Sequence, residues 1–271
     1  MKRNGFTLVE LLVVIGIIAL LMGIAVPALQ KSRQMAKAVV CGSNIKQLLL
    51  ALFSYESDNQ HLPFGFDDTR ISDPPPGGWP GYIQYDRMGW WWFNYISDYS
   101  TKNKGEGTCL LCPSKKLQDA KLKDNVLCGN YGINTSICKY TNGRGSRAEF
   151  IGTPLRLTDI ANPVRTLLIV DSGYSIINWT HATDTLPVTT PPFTLSSMME
   201  DTAYIPGMKI NEEKTNLWPG QITDATVGRH PGKTVNVGFA DGHLSRENAD
   251  TLFVEKTADD YRNRSPLWRP R

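Results

Sequence analysis

The sequence predicts an α+β protein, in which one long N-terminal helix starts in a membrane and then packs against an antiparallel β-sheet that carries long loops. Two observations predict the helix: residues 11–29 are uncharged, and apolar residues spaced by three and four follow them. A third observation predicts the sheet. Residues 166–170 and 234–239 are β-branched or alternating in polarity, and turn residues follow each of them.

Composition excludes several classes of protein. With 41% hydrophobic and 20% charged residues, this chain of 271 residues is neither disordered nor collagen-like. A mean hydropathy of −0.27 excludes a protein with many membrane spans but is compatible with one. The net charge of +3 is too small to indicate a nucleic-acid partner, and none is expected.

The first thirty residues carry the strongest signal. The nineteen residues 11–29 have no charge and, at about 1.5 Å each, span roughly 28 Å, close to the hydrocarbon thickness of a bilayer. Lys2 and Arg3 predict that the amino end stays in the cytoplasm and that the rest of the chain is exported. A buried core helix and a cleaved secretory signal peptide are the alternatives. Glu10 at the head of the run, and the length of the run, favour a permanent anchor over a signal peptide.

Residues 5–10 (GFTLVE), followed by this apolar run, resemble the cleavage and methylation site of type IV prepilins and type II secretion pseudopilins. Pro27 stands where those proteins have a helix-kinking proline. The resemblance implies that a prepilin peptidase cuts between Gly5 and Phe6 and methylates the new amino group of Phe6. It also implies a pilin-like fold, other pilin or pseudopilin subunits as partners, and the bacterial inner membrane, with the globular domain in the periplasm or in an extracellular filament.

Glu10 has a physical role in this interpretation. An ionised carboxylate in the apolar layer costs a few kcal/mol and therefore usually has a partner. Cleavage would create a positive amine at Phe6, about one helical turn away. We expect Glu10 to pair with the Phe6 amine of a neighbouring subunit and so to drive assembly.

Beyond Pro27 the pattern becomes amphipathic. The apolar stripe predicts a helix of about fifty residues whose second half docks on a sheet, and consists of Ala38, Cys41, Ile45, Leu48, Leu52 and Tyr55. Residues 40–48 (VCGSNIKQL) resemble a Cys-x-Ser-Asn-Leu-x-Gln segment of one pilin-like subgroup. The predicted organisation is a leader at 1–5, a transmembrane half-helix at 6–29, an amphipathic half at 30–60 and an exported domain at 61–271.

Aromatic and cysteine residues mark the exported domain. Part of the aromatic cluster formed by Trp79, residues 90–93 and Tyr95 is expected in the core, and buried structural aromatics are favoured over a sugar-binding platform. Because the exterior is oxidising, we predict disulfides rather than zinc among four cysteines, with the pairing open and Cys41 left as the odd thiol. The four are Cys109, Cys112, Cys128 and Cys138.

The C-terminal part contains a second resemblance. The segment from His230 to Asp241 and Gly242 is similar to the H-X9-DG signature of prepilin-type processing-associated proteins, but ten residues separate His230 from Asp241. We expect the extra residue before the strand, at 231–233, and a two-residue Asp-Gly hairpin turn after it. The four arginines in the last ten residues are expected in a solvated, mobile tail.

Evidence for chemistry is weak. His230, Asp241 and His243 could converge as a metal site or a His-Asp pair, but structural roles are favoured. No nucleophile, HExxH or phosphate-loop motif is present, so no catalytic or metal residue and no cofactor is expected. Calcium is conceivable because some pseudopilins bind it, although no dense acidic loop marks a site. The predicted function is a structural pilin-like or pseudopilin subunit. The alternative is a membrane-anchored exported domain that binds glycans or hydrolyses a substrate.

Overall fold

The computed structural model describes residues 7–70, 73, 89–99, 108–118, 125–141, 147–184, 203–214 and 217–271. Within these ranges the chain forms a long helix, a five-stranded sheet and several short elements. The predicted α+β class is therefore confirmed.

Helix α1 is the longest element and runs continuously through Pro27, over Leu8–Asn59. Thr7 caps its amino end, and Gln60, with φ of 61°, ends it in the left-handed region. At 52 residues it confirms the predicted helix of about fifty. Residues 7–37 are exposed throughout. The buried face begins at Ala38 and contains the whole predicted stripe, together with Gly42, Leu49 and Ala51.

The main sheet has the strand order β5-β3-β4-β6-β7. Its strands are β3 (Tyr131–Asn134), β4 (Leu167–Asp171), β5 (Ile176–Ile177), β6 (Thr234–Phe239) and β7 (Leu244–Asn248). Neighbours are antiparallel, as predicted, except that β5 runs parallel to β3. After β4, the chain passes β3 and forms β5 at the edge of the sheet. It passes so close that a Cβ added at Gly132 would lie 2.7 Å from the Cβ of Ser172.

Helix α1 packs on the centre of this sheet, mainly against β6 and also against β4 and β7. The closest approach is at Gly238 of β6. An added Cβ there would lie 2.8 Å from Ile169 and 2.9 Å from both Ile45 and Leu49. Helix and sheet therefore share one apolar core in which the side chains of Ile45, Leu49 and Ile169 are buried.

Shorter elements surround this core. Two small antiparallel pairs are β1 (Phe66–Asp67) with β2 (Trp90–Trp91), and β8 (Glu255–Lys256) with β9 (Tyr261–Arg262). The short helices are α2 (Trp92–Tyr95) and α3 (Ile222–Val227). Single 3-10 turns lie at Asp68–Arg70, Ser97–Tyr99, Ala148–Phe150, Leu157–Asp159, Trp179–Ala182, Lys209–Glu212, Pro219–Gln221 and Ala249–Leu252.

The aromatic prediction is confirmed for the described residues. Trp91 and Trp92 are each 1% exposed and Phe93 is 7% exposed, whereas Trp90 is only half-buried, under the guanidinium of Arg70.

The prediction of a mobile arginine tail is wrong. Trp268 is fully buried, and the side-chain amide of Asn134 donates to its carbonyl at 2.8 Å. Arg269 Nε donates to a carboxylate oxygen of Glu149 at 2.6 Å. The large aromatic ring of Trp268 provides an apolar contact that arginine side chains alone would lack, so the tail is docked.

Candidate functional site

The first half of α1 is an apolar surface that the rest of the described chain does not cover. Among the described helices, α1 is the one that is long and apolar enough to cross a membrane. Its most apolar 18-residue window is 0% buried. Large side chains such as Leu8, Leu20 and Ile24 are 68–76% exposed. An exposed apolar surface of this kind marks a contact with lipid or with other proteins.

Glu10 has a local partner that the sequence analysis missed. The backbone N–H and the hydroxyl of Thr7 each donate to the Glu10 carboxylate at 2.8 Å, and the N–H of Glu10 donates to the Thr7 hydroxyl at 3.3 Å. This is a capping box, and its signal was the Thr-x-x-Glu spacing at the start of the helix. Gly5 and Phe6 lie outside the described residues, so cleavage, methylation and the pairing of Glu10 with a neighbour stay predictions.

In the exported domain, four polar side chains meet inside the core. Cys41 comes from α1, Cys112 from the described segment 108–118, Asp171 from the end of β4 and His230 from the segment before β6. The Sγ atoms of Cys41 and Cys112 are 3.0 Å apart, and Cys41 Sγ is 3.1 Å from Asp171 Oδ1. His230 Nε2 is 3.0 Å from Asp171 Oδ2. We call these four residues the buried quartet.

Neighbouring groups hold the members of the quartet in position. The N–H of Asn236 donates to Asp171 Oδ2 at 2.7 Å, and its side-chain nitrogen lies 3.1 Å from His230 Nε2. The hydroxyl of Tyr131 is 3.2 Å from Cys41 Sγ. The N–H of Cys112 donates to the side-chain oxygen of Asn130 at 2.9 Å.

Next to the quartet lies a buried ion pair. Arg229 and Asp224 are both fully buried, and their closest nitrogen and oxygen atoms are 2.7 Å apart. Arg229 also donates to the carbonyls of Asn130 and Ser172, each at 2.7 Å. These bonds fix the backbone on either side of the quartet.

Burial and contacts within the quartet shift the pKa values of its members. Burial raises the pKa of Asp171, but the hydrogen bond and positive charge of His230 outweigh it and hold that pKa below its usual value. Burial lowers the pKa of His230, whereas hydrogen bonds to Asp171 and Cys112 raise it to about 9. Burial raises the pKa of Cys41, and contacts with Cys41 and His230 lower that of Cys112. Asp171 and Cys112 are therefore the members whose ionised forms the imidazole of His230 stabilises.

The structure does not bring His230 together with Asp241 and His243. Strand β6 separates them by about 20 Å at the usual rise per residue. Asp241 Oδ1 instead accepts from the ring and backbone nitrogens of His243, at 2.6 and 3.0 Å, on the exposed side of the hairpin. The three residues therefore form no common site, because the histidine and the Asp-Gly turn lie at opposite ends of one strand. This agrees with the structural roles that the sequence favours for them.

The Asp-Gly turn docks on α1. The N–H of Phe239 donates to the carbonyl of His243 at 3.0 Å, and the turn that this bond closes contains three residues, 240–242, rather than the predicted two. Gly242 has φ of 90°, and a Cβ there would lie 2.8 Å from the ring of Phe53. Lys46 Nζ donates to the Gly242 carbonyl at 2.5 Å. The register of β6 and β7 is regular from Thr234 to Gly238, so strand β6 holds no inserted residue over this stretch. The position of the extra residue at 231–233 stays a prediction.

The cysteines are distributed differently from the expectation. The structure carries all five as buried thiols, so the disulfide prediction for the oxidised protein stays a prediction. Cys112 lies beside Cys41, however, whereas the sequence predicts that Cys41 is the odd thiol. The expected core position of Cys41 is confirmed by its complete burial.

Two residues of the cluster were missed. The sequence predicts a turn at Asp171 and an ordinary position of an alternating strand at Asn236. A carboxylate directly after the buried apolar run 167–170 was the available signal, because a charge is rarely buried without a partner. The identity of that partner, 59 residues away in the sequence, has no signature in local periodicity.

Comparisons with known proteins bear on the amino-terminal region. A family model described as the prokaryotic N-terminal methylation motif matches residues 1–26. Over 65 residues the chain is 36% identical to competence protein ComGC of Halalkalibacterium halodurans, a match that covers 24% of this chain and 64% of that protein. No solved structure matches the chain significantly.

Two type II secretion system core proteins G are also similar. The one from Pseudomonas aeruginosa is 30% identical over 95 residues, which is 31% of this chain and 64% of that protein. The one from Escherichia coli is 42% identical over 62 residues, which is 23% of this chain and 43% of that protein. The chain thus spans less than two thirds of the length of these relatives. The motif that residues 5–10 predicted is confirmed, and the chain combines a prepilin-type N-terminal methylation motif with an α+β, pilin-like architecture.

Proposed function

We propose that this chain is a structural subunit of a type II secretion pseudopilus or a type IV pilus-like filament, assembled through the first half of α1. One observation carries the proposal: residues 8–29 form an apolar helical surface that contacts nothing else in the described chain. Before assembly the hydrocarbon of a bilayer covers such a surface, and in a filament the same helices of other subunits cover it. The names of the relatives, a competence protein and secretion core proteins, support this use.

We also propose how the subunit is made. The methylation motif supports removal of residues 1–5 by a prepilin peptidase and methylation of Phe6. Lys2 and Arg3 support an amino end that stays in the cytoplasm, with residues 61–271 in the periplasm or on the filament surface. The role is structural rather than catalytic. The buried quartet supports this, because its side chains are almost wholly enclosed and offer a substrate no access.

The mature amino terminus tests the processing step. Mass analysis of the protein from cells with an active prepilin peptidase is expected to find methylated Phe6 as the first residue. The variant Gly5→Val is expected to retain Met1. An intact wild-type Met1, or cleavage near Ala28, contradicts the proposal.

Glu10 tests the assembly step, and Thr7 offers a matched control. In Glu10→Gln the Phe6 amine of a neighbour loses its countercharge, so the amount of subunit in sheared filaments should fall about tenfold or more. Thr7→Ala removes the capping box but keeps the charge, and costs only about 1 kcal/mol of helix stability. Filament yield should therefore be nearly unchanged in Thr7→Ala. Equal yields in both variants would show that Glu10 serves only as a local cap.

A further inference from the structure

We propose that Cys41, Cys112, Asp171 and His230 form a zinc site that fastens the docked half of α1 to the exported domain. Each residue offers one ligand atom, and these four atoms lie within 4.8 Å of one another in the core. Two thiolates, an imidazole and a carboxylate are a ligand set suited to tetrahedral zinc. The site goes beyond the proposed function, since it does not depend on filament assembly.

The distances fit a tetrahedral ion after a small expansion. Ligand atoms about 2.0–2.3 Å from zinc lie roughly 3.3–3.8 Å apart in a tetrahedron. In the structure the two sulfur atoms are 3.0 Å apart, Cys41 Sγ and Asp171 Oδ1 are 3.1 Å apart, and His230 Nε2 and Asp171 Oδ2 are 3.0 Å apart. The two Asp171 distances are to different oxygens, of which one would bind the ion, and the four ligand atoms lie within 4.8 Å of one another. Small side-chain movements would therefore convert the quartet into a tetrahedral zinc site.

The surroundings are organised as they are around metal ligands. Backbone or side-chain groups of Asn130, Tyr131 and Asn236 orient Cys112, Cys41 and Asp171, respectively. Such outer contacts fix ligand orientation before the ion arrives. The ligands are already in place when the domain is folded.

Charge and hydrogen bonding favour an ion at this position. The side chains of Asp171 and His230 are 0% exposed, and both cysteines are at most 2% exposed. Within the part of the chain that the structure describes, His230 Nδ1 is a buried nitrogen with no hydrogen-bond partner. A divalent cation supplies the positive charge that a buried carboxylate and two sulfurs require, and the displaced protons, from both thiols and from the imidazole nitrogen that binds the ion, pass to solvent.

The four ligands come from four separate segments of the chain. Cys41 lies on α1, three residues after Ala38, where the buried face of the helix begins. The other three come from the Cys112 loop, from β4 and from the start of the H-X10-DG segment. One ion would therefore join the helix, at the point where it enters the domain, to three parts of that domain. This gives His230 a role that the turn residues Asp241 and Gly242 do not share.

A disulfide between Cys41 and Cys112 is the competing outcome, because the exterior is oxidising and the sulfurs are close. A disulfide would leave Asp171 and His230 without a function in the site. Bound zinc holds both thiolates and protects them from oxidation. The two outcomes differ in metal content and in mass, so one preparation distinguishes them.

The experiment uses the full chain in detergent, purified without chelator. Elemental analysis is expected to find one zinc per chain. After chelation, one equivalent of cobalt(II) should produce the sulfur-to-cobalt charge-transfer and d–d bands of a tetrahedral site with two thiolates. The zinc-loaded protein should unfold at a higher temperature than the chelated one.

Variants identify the ligands. Cys41→Ser, Cys112→Ser, Asp171→Asn and His230→Gln should each lose stoichiometric zinc while far-UV circular dichroism shows a folded domain. Cys138→Ser is the matched control for a buried cysteine outside the quartet, and His243→Gln is the control for the exposed His-Asp pair. Both controls should keep one zinc.

Three results would overturn the proposal. One is a folded wild-type protein that takes up neither zinc nor cobalt. Another is a Cys41–Cys112 disulfide in the unreduced protein from cells. The third is loss of zinc in Cys138→Ser with retention in Cys41→Ser. The wild-type metal content and cobalt spectrum decide the matter even if a ligand variant fails to fold.

Discussion

Buried asparagines join segments of this domain that are far apart in the sequence. The side-chain nitrogen of Asn134 donates to the carbonyls of Leu167 and Trp268, at 2.9 and 2.8 Å. Asn236 reaches Asp171 and His230. A side-chain amide carries donors and an acceptor, so one residue can satisfy the backbone of two other segments. Buried polar residues thus specify which segments of the chain meet, which the pattern of apolar residues alone does not.

Asp67 provides a prediction for pH dependence at the scale of one residue. Burial raises its pKa, but hydrogen bonds from Thr69 and Tyr95, at 2.6 and 2.5 Å, outweigh burial and hold the pKa below its usual value. Its stabilisation is therefore present above pH 4 and is lost as the pH falls through the lowered pKa. Asp67→Asn should be less stable at pH 7 by about 1–3 kcal/mol.

The measurement is urea unfolding of wild type and Asp67→Asn between pH 7 and pH 2. The difference should shrink below about pH 4, where the wild-type carboxylate gains its proton. The exposed Glu213→Gln serves as control and should show little difference at any pH. A constant difference down to pH 2 would mean that the charge of Asp67 contributes nothing.

At the scale of elements, the periodicity of the sequence predicted the long helix and two of the strands. It did not predict which strands lie next to each other. The spacing of Ala38, Cys41 and Ile45 identified the face of α1 that is buried, because a helix repeats every 3.6 residues. Strands β4 and β6 were likewise visible in the sequence. The parallel β5 was not, since it has two residues and its place depends on a chain crossing at Gly132. The quartet was not predicted for the same reason: its four residues come from four separate segments of the chain and meet only in the folded domain.

Gly238 tests the packing of helix on sheet. A valine there would push against Ile45 and Leu49 of α1 and Ile169 of β4, all within 2.9 Å of the added Cβ. Gly238→Val should destabilise the domain by about 1–3 kcal/mol or more, the usual effect of overpacking. Chemical denaturation of the full chain in detergent measures it.

Arg246→Val is the matched control, because it places the same side chain at an exposed position of the neighbouring strand β7. It should change stability by less than about 0.5 kcal/mol. If Gly238→Val were equally mild, the helix would have to be separated from β6 in solution.

At the scale of the whole molecule, the described chain consists of a packed domain and a helix that extends from it. Every residue from 7 to 37 is exposed, and the buried core begins at Ala38. Residues up to Pro27 have the uncharged, apolar composition of a membrane span. Beyond Pro27 the sequence has the amphipathic pattern of a helix that packs on a soluble core. The sequence showed this division, but not where the chain's remote segments meet.

Deletion of residues 1–29 should therefore leave the domain intact. A 30–271 fragment is expected to stay soluble without detergent and to match the full chain in denaturation midpoint, because residues 7–29 are exposed throughout. Light scattering and circular dichroism measure both properties. A fragment that aggregates or loses cooperativity would show that the helix supports the domain as well as anchoring it.

The exposed part of α1 also sets the height of the domain above the lipid. Residues 8–37 rise about 45 Å at 1.5 Å per residue, whereas the hydrocarbon layer takes up about 30 Å. In the proposed membrane-bound subunit, the remaining 15 Å or so, carrying Lys31, Arg33 and Lys37, would cross the layer of phosphate headgroups. Before it joins any filament, the domain of such a subunit would therefore sit at the outer edge of the headgroups, with three basic side chains of the helix facing the phosphates.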